Sequence, residues 1–257
     1  MTQILGIDIG GSGIKGAPVD IGTGELLAKR VRLETPQPST PDAVAQVVVA
    51  LRDQLGWRGP VGATYPGVVR GGTVRTAANV DPSWLGVDAA AKLGGALGEA
   101  VTMVNDADAA GLAEVVFGAA RDESGTVLMV TLGTGIGTAL FTHGALVPNT
   151  ELGHLVVRGR DAELRASARA RTARKMSWRR WSKHVRRYLQ ELERLLRPDL
   201  FVLGGGVSKQ FDRFGHRLKL DTPVVPAQMH NDAGIVGAAL AYARAHPEAG
   251  APAPSSG

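Results

Sequence analysis

Apolar positions along the chain form short β-branched runs of strand length, separated by longer stretches with apolar residues every three or four positions. Ile4–Ile9 is the first such run and leads into Gly10-Gly11-Ser12-Gly13. Ile14–Val19 and Leu26–Leu33 then bracket Asp20-Ile21-Gly22-Thr23-Gly24, so two or three antiparallel strands open the chain. After Pro36 and Pro38 a helix is predicted with Ser39 or Thr40 as its cap, Pro41 at its first position and Asp42 in its first turn, running to about Leu55. Strands follow near Val61–Tyr65 and Thr73–Ala77, and a helix near Val87–Leu97. The strand Val101–Val104 passes through Asn105-Asp106-Ala107-Asp108 into an alanine-rich helix that reaches about Phe117.

Thr126–Leu132 is again an apolar strand followed by glycines, here Gly133, Gly135 and Gly137, with Ile136–Phe141 and Ala145–Val147 as the return. A helix is predicted over Trp178–Leu196, and a strand over Leu200–Leu203 runs into Gly204-Gly205-Gly206. The last helix, Ala233–Ala245, has Asn231 or Asp232 placed to cap it, and the Pro- and Ala-rich tail from His246 reads as disordered. One pattern therefore occurs twice, at Ile4–Val19 and at Thr126–Phe141: apolar strand, glycine turn, returning strand. The expectation is a two-lobed α/β protein whose lobes each lend a glycine hairpin to a shared cleft. Residues 1–105, joined by helix 233–245, would form the smaller lobe and 106–232 the larger, with 246–257 as the tail.

The chain's 257 residues, 44% hydrophobic, suffice for such a pair of cores. With no cysteine there are no disulfides, thiolate nucleophiles or Cys-ligated zinc. The opening MTQILGIDIGG has no basic segment before an apolar one, and no apolar run is long enough to span a bilayer, which points to a cytoplasmic protein without a membrane partner. The net charge of +5 is concentrated locally. Between Arg158 and Arg187 twelve basic residues face only Asp161 and Glu163, so this segment carries +10 and the rest of the chain about −5. Such a strip suits a polyanionic partner; the alternative is a solvated helix face.

Gly11, Gly13 and Gly16 match G-x-G-x-x-G after a strand, but a dinucleotide site needs those glycines to open a helix. Ala17-Pro18 and Gly22-Thr23-Gly24 forbid one, and no Walker A loop is present. The remaining functional reading is a hairpin phosphate clamp: close backbone approach, N–H groups forming an anion nest, Lys15 as a point charge, and hydroxyls from Ser12, Thr134 and Thr138. Asp8, at the carboxyl end of its strand, is placed to hold Mg²⁺ directly or through water. Asp106 sits where a strand enters a helix, either at a cleft edge or as a cap, and Asp108 is a second capping candidate. Glu151-Leu152-Gly153-His154 is a compact polar cluster that could converge on one small ligand, with Asn79 as a further contributor.

Taken in order, Asp8-Ile9-Gly10-Gly11-Ser12-Gly13-Ile14-Lys15, Asn105-Asp106, Leu132-Gly133-Thr134-Gly135-Ile136-Gly137, Glu151-Leu152-Gly153-His154 and Leu203-Gly204-Gly205-Gly206 resemble the ROK sugar kinases. Ala-Asn-Val-Asp-Pro-Ser-Trp at 78–84 and the stretch Arg158–Trp181 look like the actinobacterial polyphosphate/ATP glucokinases within that family. The resemblance implies an actin-like ATPase (ribonuclease H-like) fold and transfer of the terminal phosphate of polyphosphate or ATP to the glucose 6-hydroxyl, with Mg²⁺. Asp106 would be the catalytic base, and Asn79, Asn105, Glu151, His154 and Gly67 would hold the sugar. Asp8, Gly10, Gly11, Ser12, Gly13, Lys15, Thr131, Gly133, Thr134, Gly135 and Gly204, Gly205 and Gly206 would hold the donor. Arg171, Arg174, Lys175, Arg179 and Arg180 would meet polyphosphate.

Family members commonly carry a His/Cys zinc site after the E-x-G-H motif; without cysteine that zinc is not expected. Nor is a DNA partner, since no helix-turn-helix precedes the strand at Ile4, while a homodimer is. Two other readings remain open at this stage. One is an ATP-only hexose kinase whose basic strip is merely solvated. The other is a non-catalytic, sugar-responsive regulator that stacks bases on Trp178 and Trp181.

Overall fold

The computed structural model describes residues 3–78 and 80–247. The chain divides into two compact units: one runs to Ala113 and resumes at Asp232, and the other is Glu114–Asn231. The division falls inside the helix that begins at Asp106, and the first unit is the larger, the reverse of the expected sizes. It gains that size by keeping most of this helix; the last helix was expected there.

The first unit is built on β1 (Gln3–Ile9), β2 (Ile14–Asp20), β3 (Val31–Leu33), β4 (Val61–Tyr65) and β5 (Val101–Asn105). Their order is β3-β2-β1-β4-β5, antiparallel across the first three and parallel across the last three. The predicted strand at Leu26–Leu33 shortens to Val31–Leu33: Leu26 makes a single bridge to Val19, and Arg30 then turns away to pair with Asp232 at 2.7 Å. Helix α1 (Pro41–Gln54) starts as predicted, with Thr40 accepting from the Ala43 amide at 3.3 Å, and buries Val44, Val48 and Leu51 along one face. Helix α2 (Ala89–Leu97) begins two residues later than expected because Asp88 caps it through the Ala91 amide. Thr73–Ala77 contracts to Thr73–Val74, paired with Val69–Arg70. Beyond Val74, Thr76 is taken up by the Val68 amide and the Tyr65 hydroxyl instead of a strand partner.

Helix α3 (Asp106–Val116) follows β5 directly, and α7 (Ala233–Ala245) packs on β1, β4 and β5. Glycine permits that packing. A β-carbon at Gly6 would overlap the Ile235 carbonyl, one at Gly62 the Ala238 carbonyl, and one at Gly237 the Ala109 carbonyl of α3. Asp232 sits at the cap position of α7 but gives its carboxylate to Arg30 and makes no side-chain cap. His246 is placed, its ring 4.4 Å from that of Tyr242; residues 248–257 of the expected tail lie outside the described residues.

The second unit repeats the plan with β6 (Thr126–Leu132), β7 (Ile136–Thr142), β8 (Ala145–Val147), β9 (Leu200–Gly204) and β10 (Val224–Pro226), in the order β8-β7-β6-β9-β10. Again the hairpin strands are antiparallel and the inner pairs parallel, so the recurring sequence pattern is a recurring sheet. Short helices α4 (Glu163–Ala166) and α5 (Ala168–Ala173) precede α6 (Trp178–Leu196), whose bounds match the prediction. Ser177 caps α6 through the Arg180 amide, and Trp181, Val185, Leu189 and Leu192 enter the core, where Trp181 meets Phe214 edge-on at 5.0 Å. No helix among the described residues is long and apolar enough to cross a membrane.

Candidate active site

In the first unit the polar residues gather at the carboxyl ends of the parallel strands, where the backbone leaves the sheet. Asp8 receives the Thr64 hydroxyl at 3.1 Å on one oxygen and Lys15 at 3.3 Å on the other. Thr64 in turn accepts the Ile9 amide at 2.9 Å, so β1 and β4 jointly fix the carboxylate. The turn that follows closes through Gly10 N–H to the Gly13 carbonyl at 3.1 Å, with Gly11 and Ser12 exposed at its tip. Arg32 braces it by donating to the Ser12 carbonyl at 3.0 Å, and its guanidinium occupies the space a side chain at Gly13 would need.

Asn105 is buried at the end of β5 and makes three bonds. Its amide donates to the Gly67 carbonyl at 3.0 Å, and its oxygen accepts the Ala107 and Asp108 amides at 2.8 and 3.0 Å. The cap of α3 is therefore Asn105, where Asp106 and Asp108 were the candidates; an amide can both cap and donate, which a carboxylate cannot. Asp108 is buried, whereas Asp106 remains exposed, one oxygen accepting the Ala107 amide at 2.9 Å. Gly67 enters the site through its carbonyl, as the anchor of Asn105. Asn79 lies outside the described residues.

In the second unit the 133–135 turn closes through Gly133 N–H to the Gly135 carbonyl at 2.9 Å, with Thr134 exposed and Thr131 half-buried behind it. Gly204 pairs in register with Thr131, and Gly205 packs on the Leu132 backbone at φ +80°, a left-handed conformation that favours glycine. The 133–135 turn and Gly204–Gly205 thus leave neighbouring inner strands of the second unit's sheet at the same end. Thr138 is not available to a phosphate: it is buried, donates to the Thr150 carbonyl at 2.6 Å and accepts the Leu152 amide at 3.2 Å. It serves instead to hold the segment carrying Glu151.

Glu151 and His154 flank a single helical turn, with His154 Nε2 3.9 Å from the Glu151 carboxylate. On its other side His154 Nδ1 meets Asp161 Oδ2 at 2.8 Å. A two-residue turn makes this possible: Arg158 and Gly159, both at positive φ, fold Arg160–Asp161 back on Val156–Val157. The Asp161 hydrogen bond is the main reason the imidazole is held above its usual range, against a smaller burial effect. Partial burial raises the Glu151 carboxyl, partly offset by His154. The second Asp161 oxygen accepts the Glu163 amide at 2.8 Å, and Glu163 accepts the Ile136 amide at 2.9 Å beneath the glycine turn. Arg169 completes the link, pairing with Glu163 at 3.6 Å and donating its amide to the Gly133 carbonyl.

Sequence reasoning missed Thr64, Asp161 and Glu163 as site residues. The available signal for the last two was their survival as the only acids among twelve bases between Arg158 and Arg187. Of the predicted strip, Arg174, Lys175, Arg179 and Arg180 are exposed, while Arg171 is half-buried with its guanidinium 3.6 Å from the Trp178 ring centroid. Trp181 is buried and Trp178 stacks on Phe214 at 5.7 Å, so these rings serve the core and form no open stacking platform.

A family model described as the ROK family matches residues 4–163. The polyphosphate glucokinase of Mycobacterium tuberculosis (strain H37Rv) is 52% identical over 238 residues, which cover 92% of this chain and 90% of that protein. The crystal structure of the inorganic polyphosphate/ATP-glucomannokinase from Arthrobacter sp. strain KM superposes with a TM-score of 0.91 at 50% identity, covering 96% of this chain and all of that one. A ROK family glucokinase from Streptomyces griseus shares the fold, with a TM-score of 0.81 at 24% identity over 94% of this chain and 99% of its own.

Proposed function

The chain belongs to the ROK family, with its actin-like ATPase fold, and from that premise we propose that it is a glucokinase moving the terminal phosphate of inorganic polyphosphate, and of ATP, to the 6-hydroxyl of glucose. One observation carries the reading: an exposed aspartate, Asp106, follows the Asn105 cap in a chain that matches a polyphosphate glucokinase over 92% of its length. Asp106 accepts the proton of the sugar 6-hydroxyl as that oxygen bonds to the terminal phosphorus. The bridging P–O bond breaks, and the donor leaves one phosphate shorter.

Phosphoryl transfer asks a protein for positioning and charge neutralisation more than for covalent chemistry. Asn105, Glu151 and His154 hydrogen-bond the remaining hydroxyls; a charged His154 donates and an ionised Glu151 accepts. The glycine turns at 10–13 and 133–135 offer backbone N–H groups to phosphate, Lys15 adds a positive charge, and Gly204–Gly206 lies beside the nucleoside when ATP is the donor. Asp8 suits Mg²⁺, an ion commonly held by one or two carboxylates and the substrate's own phosphates. When bound, Mg²⁺ neutralises charge on the transferred group. We read the enzyme as a cytoplasmic homodimer, the latter on the family's habit.

A coupled assay for glucose 6-phosphate with purified protein, Mg²⁺ and each donor tests this reading; no product with either donor ends it. Asp106→Asn is expected to lower kcat at least about a hundredfold with the fold intact. Near-normal turnover removes Asp106 from its role.

A further inference from the structure

A cavity of about 540 Å³ lies on the second unit, and none of the glycine-turn, Glu151 or His154 residues lines it. Its charged wall comes from two elements. Helix α6 contributes Arg179, Lys183, Arg186 and Arg187; the chain after Phe214 contributes Arg217 and Lys219. The helical residues recur at intervals of four, three and one, which sets them on one face, opposite the buried Trp181, Val185 and Leu189. Phe214 and Leu218 are fully buried, so Arg217 and Lys219 project from an anchored segment.

The lining includes no acidic residue, and none of these six cations forms an ion pair among the described residues. Elsewhere in the unit the pairing differs: Arg169 has Glu163, and Arg194 has Glu191 at 3.0 Å. Six like charges around one hollow repel one another until an anion enters it. His184, on the same helix, reports that field: burial first, then Arg187, Arg165, Arg180 and Arg174, hold its imidazole below the usual range.

The stretch from Arg179 to Arg187 spans about 12 Å of helix, long enough for a run of phosphates. The lining holds no Phe, Tyr or Trp, and His216 is its one ring, which favours a bare phosphate chain over a run of stacked bases. We propose that this groove is an anchoring subsite for inorganic polyphosphate, holding the body of the chain away from the terminal phosphate that reacts. The assignment rests on the proposed donor, and it differs from the strip predicted from sequence: of those five residues only Arg179 lines the groove.

The test is the double variant Arg186→Gln/Arg217→Gln, whose side chains are exposed and outside the reacting site. Binding of long-chain polyphosphate is measured directly at several salt concentrations, and KM is measured with long-chain polyphosphate, tripolyphosphate and ATP. Expected are a roughly tenfold weaker affinity, a shallower dependence on salt, and a matching rise in KM for the long chain alone, with kcat and the values for tripolyphosphate and ATP unchanged. Unchanged long-chain binding in the variant overturns the subsite, as does a DNA or RNA oligomer that displaces polyphosphate and binds more tightly. If the wild-type protein binds polyphosphate through these residues yet never uses it as a donor, the groove stands and the donor reading falls.

Discussion

Replacing Asp161 by asparagine tests whether this carboxylate sets the charge and position of His154. The carboxylate accepts two N–H groups, His154 Nδ1 and the Glu163 amide, each at 2.8 Å. An amide has one acceptor oxygen, so whichever donor that oxygen serves, the NH₂ group faces the other. The side chains of His154 and Asp161 are 59% and 30% exposed, which places the charged contact in the range of solvent-screened pairs, about 0.2–1 kcal/mol. The lost backbone hydrogen bond adds about 0.5–1.5 kcal/mol. Together, about 0.7–2.5 kcal/mol, these predict a Tm lower by roughly 1–10 °C.

The pH dependence is more telling than the size. Asp161 raises the pKa of His154 in the folded protein, so the pair stabilises fully below the ordinary histidine value of about 6.5. That contribution fades as pH rises through the folded pKa. The gap between wild type and variant should therefore be widest near pH 6 and close toward alkaline pH, leaving only the backbone part. In the variant, NMR titration of the ring protons should move the His154 midpoint down, and KM for glucose should rise with kcat largely kept. A stability gap that is flat or widens with pH, or an unmoved His154 midpoint, refutes the reasoning.

Gly237→Ala places a methyl group on the Ala109 carbonyl, so α7 must lift from α3. This backbone clash should exceed the usual overpacking cost, at about 3 kcal/mol or more, read as a lower denaturant midpoint; an unchanged midpoint would mean the two helices are not so close. Asn105→Ala removes both cap bonds and the tie to Gly67, and should cost about 1–2 kcal/mol along with turnover. Asn105→Asp keeps the cap but sets a buried carboxylate oxygen where the amide donated to the Gly67 carbonyl. Its stability in thermal melts should fall at neutral pH and recover toward acid, where the carboxyl gains a proton to donate; a loss that does not change with pH would contradict the dual role.

Where function depends on backbone, the primary structure was readable. Both glycine hairpins, the bounds of α6 and α7 and the Thr40 cap follow from apolar spacing and local capping chemistry, which act over a few residues. Side-chain partnerships were less legible. Asp232 looks like a cap in sequence, yet it pairs with Arg30, 202 positions away, and no local rule reveals that. Asp161 is only seven residues from His154, but they meet through a turn in which Arg158 adopts a conformation rare for a side chain of its size. Thr138 had the right type and place for a phosphate ligand and was claimed by Thr150. The basic strip was evident from charge alone, whereas the groove beside α6 is completed by Arg217 and Lys219, which helical periodicity in α6 cannot supply.

Because α7 fills the glycine-lined face of the first sheet, a ribosome releases that sheet long before the piece that covers it. All of Glu114–Asn231 emerges in between. The middle of the polypeptide can reach its final form while the earliest part still waits with Gly6 and Gly62 bare. A premature stop just before Asp232 would leave that state permanent: one finished half, and one sticky sheet for chaperones and proteases to find.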